Sequence, residues 1–170
     1  MFRRITSVPV LLFLLVALAA GAVLGPAFAQ QQNIKPAPPA APAGFTVKIT
    51  YSQKAMDKLV SGKETVIVAG YLYGFPKQGT PRKYVDEMGQ IDVGEVKDEV
   101  APGTTAAFDH IKLEPAMSKW FDSQGPQLLI NVYSGRKSSP NNLLDCGIYE
   151  GPLAAVQGQS IPISCKLIGE

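Results

Sequence analysis

One histidine, one tryptophan and two cysteines in 170 residues leave little material for chemistry. A zinc or copper centre draws on several imidazoles or thiolates. His110 stands alone, with Met88 and Met117 the nearest thing to soft co-ligands, and their spacing does not ask for a metal. No HExxH, GxSxG or CxxC occurs, so the usual spacings of a zinc protease, a serine hydrolase and a thiol redox centre are missing. No cofactor and no metal are expected. Neither sign of charge dominates: the formal net charge is +2, and Arg3 and Arg4 at the extreme N-terminus account for it. A chain balanced in this way has no basic stripe to release counterions from phosphates, which argues against a nucleic-acid partner. Asn-x-Ser/Thr acceptors are absent too, in keeping with a bacterial exported protein.

What is present begins at the N-terminus. Arg3 and Arg4 precede an apolar run over 8–20, and Ala27-Phe28-Ala29 puts small residues at −3 and −1 of a cut. This is the tripartite pattern of a secretory signal peptide, residues 1–29, with the mature chain starting at Gln30. An uncleaved anchor is the alternative, but Pro9, Gly21, Gly25 and Pro26 interrupt the apolar stretch. The expectation is a periplasmic or secreted protein with no stable membrane insertion after cleavage. Residues 30–44 are rich in Pro and Ala and carry one isolated aliphatic, Ile34. They bury too little apolar surface to offset their ordering entropy and read as a spacer. Residues 45–170 then form one domain.

Within that domain Phe45, Val47 and Ile49 alternate with Thr46, Lys48 and Thr50, the period of a strand with one wet face. Ser52 is an N-cap for a short helix whose apolar face is Ala55, Met56, Leu59 and Val60, stopped by Gly62. The strongest strand, 64–75, places Val66, Val68 and Leu72 on one face and Ile67, Ala69, Tyr71 and Tyr73 on the other. Segment 90–99 changes phase at Gly94, where a β-bulge reconciles its halves. Further strands are expected over 104–113, 127–133, 143–149 and 161–168, the last an edge strand because of Pro162, with a helical turn over 114–123 holding Met117, Trp120 and Phe121. About seven short strands with one or two short helices imply a mainly β fold, an antiparallel β-sandwich. Its rhythm resembles that of immunoglobulin-like or transthyretin-like modules. No immunoglobulin motif accompanies the rhythm, since Trp120 precedes both cysteines instead of lying between them.

Cys146 and Cys165 share the phase of apolar neighbours (Leu144 and Ile148; Ile161, Ile163 and Leu167), so both sulfurs should point inward and form a disulfide in an exported chain. Acidic residues thicken between Asp86 and Glu99, which suits a solvated strand face with Arg82, Lys83 and Lys97 as partners. A carboxylate pair for hydrolysis is the sharper alternative. Tyr71, Tyr73 and Phe75 make an aromatic row in which the two tyrosines are expected in the core and Phe75 near a loop. Beside Phe75 come Lys77, Arg82, Lys83 and Tyr84, and a second basic loop carries Arg136 and Lys137. Aromatic anchors beside basic donors are the make-up of an interface centre. The reading is an exported, non-catalytic binding or interaction module of the cell envelope, for an envelope protein, peptide or glycan. A small carboxylate-dependent hydrolase and a structural subunit pairing through a strand edge are the competing classes.

Overall fold

In the computed structural model residues 43–170 are described; the expected signal segment and all but the last two residues of the spacer lie outside them. Strand β1, Ala43–Tyr51, buries Phe45, Val47 and Ile49 as its alternation requires. Helix α1, Gln53–Ser61, starts where the Ser52 hydroxyl accepts from the Ala55 N–H at 3.1 Å, and it ends at Gly62. Ala55 and Leu59 are fully buried, but Val60 is 61% exposed. The apolar stripe is therefore narrower than expected, because so short a helix meets the sheet along one line only.

The remaining elements are β2 (Val66–Pro76), β3 (Ile91–Val100), β4 (Ala106–His110), α2 (Pro115–Ser118), β5 (Phe121–Ser134), β6 (Leu144–Cys146), β7 (Tyr149–Pro152), α3 (Leu153–Val156) and β8 (Ser160–Leu167). Two four-stranded sheets result, ordered β4-β1-β8-β6 and β3-β2-β5-β7. Val47, Phe108, Ile161 and Ile163 from the first and Val66, Val68, Leu128 and Ile130 from the second fill the core between them. The mainly β sandwich expected from the sequence is the fold.

Its connectivity departs from that expectation in one pairing. β1 and β8 run parallel, from Thr46↔Ser160 to Tyr51↔Cys165, so the sandwich is not wholly antiparallel. Side chains alternate identically in either direction, so hydrophobic period carries no orientation. The pair joins the two ends of the domain, which leaves ample chain for a parallel crossover.

Segment 143–149 is not one strand. It divides into β6 in one sheet and β7 in the other, and the chain crosses between them at Gly147 and Ile148. Ile148 is 64% exposed instead of inward, and Cys146 is half-buried while Cys165 is buried. The disulfide between them joins β6 to β8, with Cα atoms 4.0 Å apart.

β8 is likewise not an edge. The carbonyls of Gln159 and Cys165 accept from Thr46 and Ser52 on the β1 side, whereas that of Ser164 accepts from Gly147 on the other. Pro162 shares the phase of Ser164, and β6 pairs only from Cys165 onward. The position lacking an N–H thus faces the unpaired stretch of the flank, which is why proline is tolerated in an interior strand.

Two further details shape the outer face of β3-β2-β5-β7. Leu72 pairs with Gly94 and Tyr73 with Asp92, leaving Val93 unopposed in the expected bulge; Gly94 adopts φ 124°, which side chains disfavour. β5 starts at Phe121, earlier than its alternation suggested, because Phe121 pairs with Pro76 and seats its ring where a Cβ at Gly74 would stand. The helical turn before it shrinks to α2, leaving Phe121 buried in the strand and Trp120 half-buried at the junction.

Candidate functional site

The outer face of β3-β2-β5-β7 is built by register. Ile67, Ala69, Tyr71 and Tyr73 of β2 lie beside Glu99, Lys97, Glu95 and Asp92 of β3, and beside Tyr133, Asn131, Leu129 and Gln127 of β5. Tyr71 is 40% exposed, and Ile67, Tyr73, Leu129 and Tyr133 are half-buried. The expectation that Tyr71 and Tyr73 are core is overturned. At the level of Tyr71 the sandwich interior is already filled against Gly70, where an added Cβ would come within 2.9 Å of Val96 and 3.2 Å of Ile130 and Leu128. The tyrosine phase consequently belongs to the outside. Two depressions flank Tyr71, one of about 450 Å³ bounded by Ile67, Asn131, Tyr133 and Arg136, the other of about 330 Å³ bounded by Tyr73, Met88, Leu129, Asp92 and Glu150.

Two polar pairs are formed on this face. Tyr73 donates its hydroxyl to Glu150 at 2.5 Å. Burial, then that bond and the carboxylate charge, push Tyr73 up to about 12. Tyr71 is raised by burial and by the negative charge of Glu95, which itself pairs with Lys97 at 3.1 Å. These tyrosines remain neutral donors through the physiological range, on a surface that combines flat apolar rings with an amide and carboxylates.

The loop after β2 holds most of the residues singled out from the sequence. Phe75 is half-buried and packs edge-on against Tyr73, with ring centroids 5.7 Å apart. Lys77, Arg82 and Lys83 are exposed, the last two in a 3-10 turn, Arg82–Tyr84. Tyr84 stacks on Trp120 at 5.6 Å and 28°. Lys83 lies 4.9 Å over the Tyr84 ring and Lys119 lies 5.0 Å over Trp120. The Trp120 carbonyl accepts from the Lys77 N–H at 3.0 Å and the Thr80 hydroxyl at 3.3 Å, tying the loop to the start of β5. Sequence reasoning missed Trp120 and Lys119 as members of this cluster. The one available signal was a lone tryptophan with a lysine before it in a segment lacking strand alternation.

Arg136 and Lys137 are not brought near that cluster. β2 pairs with Ser134 at Val66 and with Phe121 at Pro76, so the two basic loops sit at opposite ends of an 11-residue strand, a separation of roughly 30 Å. Arg136, at φ 60°, borders the larger depression, and Lys137 pairs with Glu99 at 2.9 Å. The loop is held by Glu64, a residue the sequence offered only as the polar start of a strand. Glu64 is 2% exposed, and its carboxylate accepts from the backbone of Lys137 and Ser138 at 2.8 Å each, from the Ser138 hydroxyl and from the Thr65 N–H. Burial pushes this acid up, but the hydrogen bonds outweigh it and hold Glu64 at about 2. Asn142 completes the support, accepting from Ser134 and Leu144 and donating to the Leu144 carbonyl.

The acidic stretch is used locally. Asp86 accepts from the Met88 and Gln90 N–H groups, closing a turn, and Asp92 accepts from Gly94 at the bulge. Of the three cations expected to pair with it, only Lys97 does so among the described residues. Among those residues no group of three or more His, Cys, Asp and Glu side chains is arranged to hold a metal ion, and no helix is long and apolar enough to cross a membrane. No protein-family model matches this chain, and neither curated proteins nor solved structures give a match to it.

Proposed function

We propose that the protein is a non-catalytic binding module of the cell envelope, exported to the periplasm or beyond, and that it contacts an extended peptide or glycan through the outer face of β3-β2-β5-β7. The observation that carries this reading is the exposure of Tyr71 between two depressions, in a row of aromatic side chains whose phase would otherwise be packing. Flat rings beside hydroxyl, amide and carboxylate groups suit a ligand with apolar faces and polar rims. The Cys146–Cys165 bridge supports an oxidising compartment. Commitment of Asp86 and Asp92 to backbone donors weighs against the hydrolase reading, and the charges of Asp92, Glu95, Lys97 and Glu99 along β3 blunt that edge against strand pairing.

The test is an amide chemical-shift titration with a panel of neutral oligosaccharides and extended peptides. Saturable shifts centred on Tyr71, Asn131 and Tyr133, lost in Tyr71→Ala, are expected. Binding that Tyr71→Ala leaves unchanged, or shifts confined to the opposite sheet, would overturn the assignment.

A further inference from the structure

The cluster at the far end of β2 has a different chemistry from the tyrosine face. Lys83, Tyr84, Trp120 and Lys119 form a ridge in which two stacked rings each carry a lysine ammonium about one contact away. A cation over a ring keeps its full charge while losing freedom of position. Lys77 and Arg82 extend the ridge. The ion pairs among the described residues, Lys97–Glu95, Lys137–Glu99 and Lys166–Asp145, involve none of these four cations. Four cations without an ion-pair partner among the described residues thus lie on one junction, where the loop is held by the Trp120 carbonyl.

We propose that this ridge docks a polyanionic polysaccharide, a chain bearing repeated carboxylate, sulfate or phosphate groups. A single small anion is a poor match, because neither depression flanking Tyr71 is lined by these cations and each exposed contact is weak alone. A repeated anion gains from several such contacts at once. An acidic protein segment fits less well, since protein interfaces draw their energy from apolar anchors in pockets, and here both rings are already engaged with each other and with lysines. Asp86 and Glu87, exposed on the same loop, disfavour a broad anionic membrane surface by like-charge repulsion, whereas a narrow chain need not cover them.

Trp120 is the only tryptophan, so its fluorescence reports on the ridge directly. The whole exported chain is titrated with polygalacturonate, and separately with neutral dextran, poly-L-glutamate and phosphatidylglycerol vesicles. The proposal expects a saturable change of Trp120 emission with polygalacturonate and none with dextran, with affinity falling steeply as NaCl rises. The double substitution Lys83→Gln and Lys119→Gln should lower that affinity about tenfold and flatten the salt dependence by about two ion equivalents, with an unchanged melting temperature. Tyr71→Ala should leave it intact, which separates this site from the tyrosine face. Binding indifferent to the lysine substitutions, equal binding of dextran, or capture of poly-L-glutamate or vesicles with polygalacturonate silent would each overturn it.

Discussion

Glu64 and Ser138 lie 74 residues apart, yet the buried Glu64 carboxylate takes both the backbone N–H and the hydroxyl of Ser138, the former at 2.8 Å. A carboxylate at the entry to β2 thereby stands in for a missing strand partner and clamps the loop that carries Arg136 and Lys137 onto the sheet.

The clamp makes stability depend on pH. Glu64 is held at about 2 in the folded protein against an ordinary 4.5. A depressed folded value contributes stability that is fully present above about pH 4.5 and is lost as pH falls toward 2. Glu99 and Glu170, lowered by Thr65 and Ser52 respectively, act in the same direction from exposed positions. Urea unfolding followed across this range should show a steep acid loss in the native chain and a shallower one in Glu64→Gln. Glu64→Ala should cost about 2 kcal/mol at neutral pH, since four part-buried donors lose their acceptor. Parallel profiles for the two chains would contradict this account.

Reducing Cys146–Cys165 should destabilise the domain by about 3 kcal/mol, as expected for a loop of this size. Thiol labelling of the denatured but unreduced protein should find no reactive cysteine. Replacing both cysteines with alanine should lower the melting temperature without changing ligand capture, because the bridge lies between β6 and β8, away from both proposed surfaces.

Tyr71→Ala should cost about 1 kcal/mol or less, as for an exposed position. Leu128→Ala, at a side chain with no exposure, should cost about 3 kcal/mol. Chemical denaturation of the two variants separates them, and equal losses would return Tyr71 to the core.

Gly74→Ala should destabilise by about 2 kcal/mol, because its Cβ collides with the Phe121 ring. In a Phe121→Ala background the same change should cost much less. A double-mutant cycle with no coupling would contradict the collision.

The chain recovered from its native host should begin at Gln30. Intact mass checks this, and a full-length species in the membrane fraction would revive the uncleaved anchor.

Local pattern carried much of the architecture. Alternation in β1, β2 and β5, the Ser52 cap, the Gly94 phase change and the proximity of Cys146 to Cys165 were all legible, because each depends on neighbours within a few residues or on a pair with no rival. Three matters were settled only in three dimensions. Strand direction was one, since period two is the same for the parallel β1–β8 pair as for an antiparallel one. Which side of β2 faces the core was another: both phases are apolar, and the packing of Gly70 against Val96 and Ile130 sends Tyr71 outward. The third was the grouping of charge, for only the folded chain carries Trp120 and Lys119 onto the loop of Lys83 and Tyr84 and leaves Arg136 at the other end of β2. Composition and period act along the chain and determined the class of fold; the sites are products of register and sheet order, which depend on contacts between residues far apart in sequence.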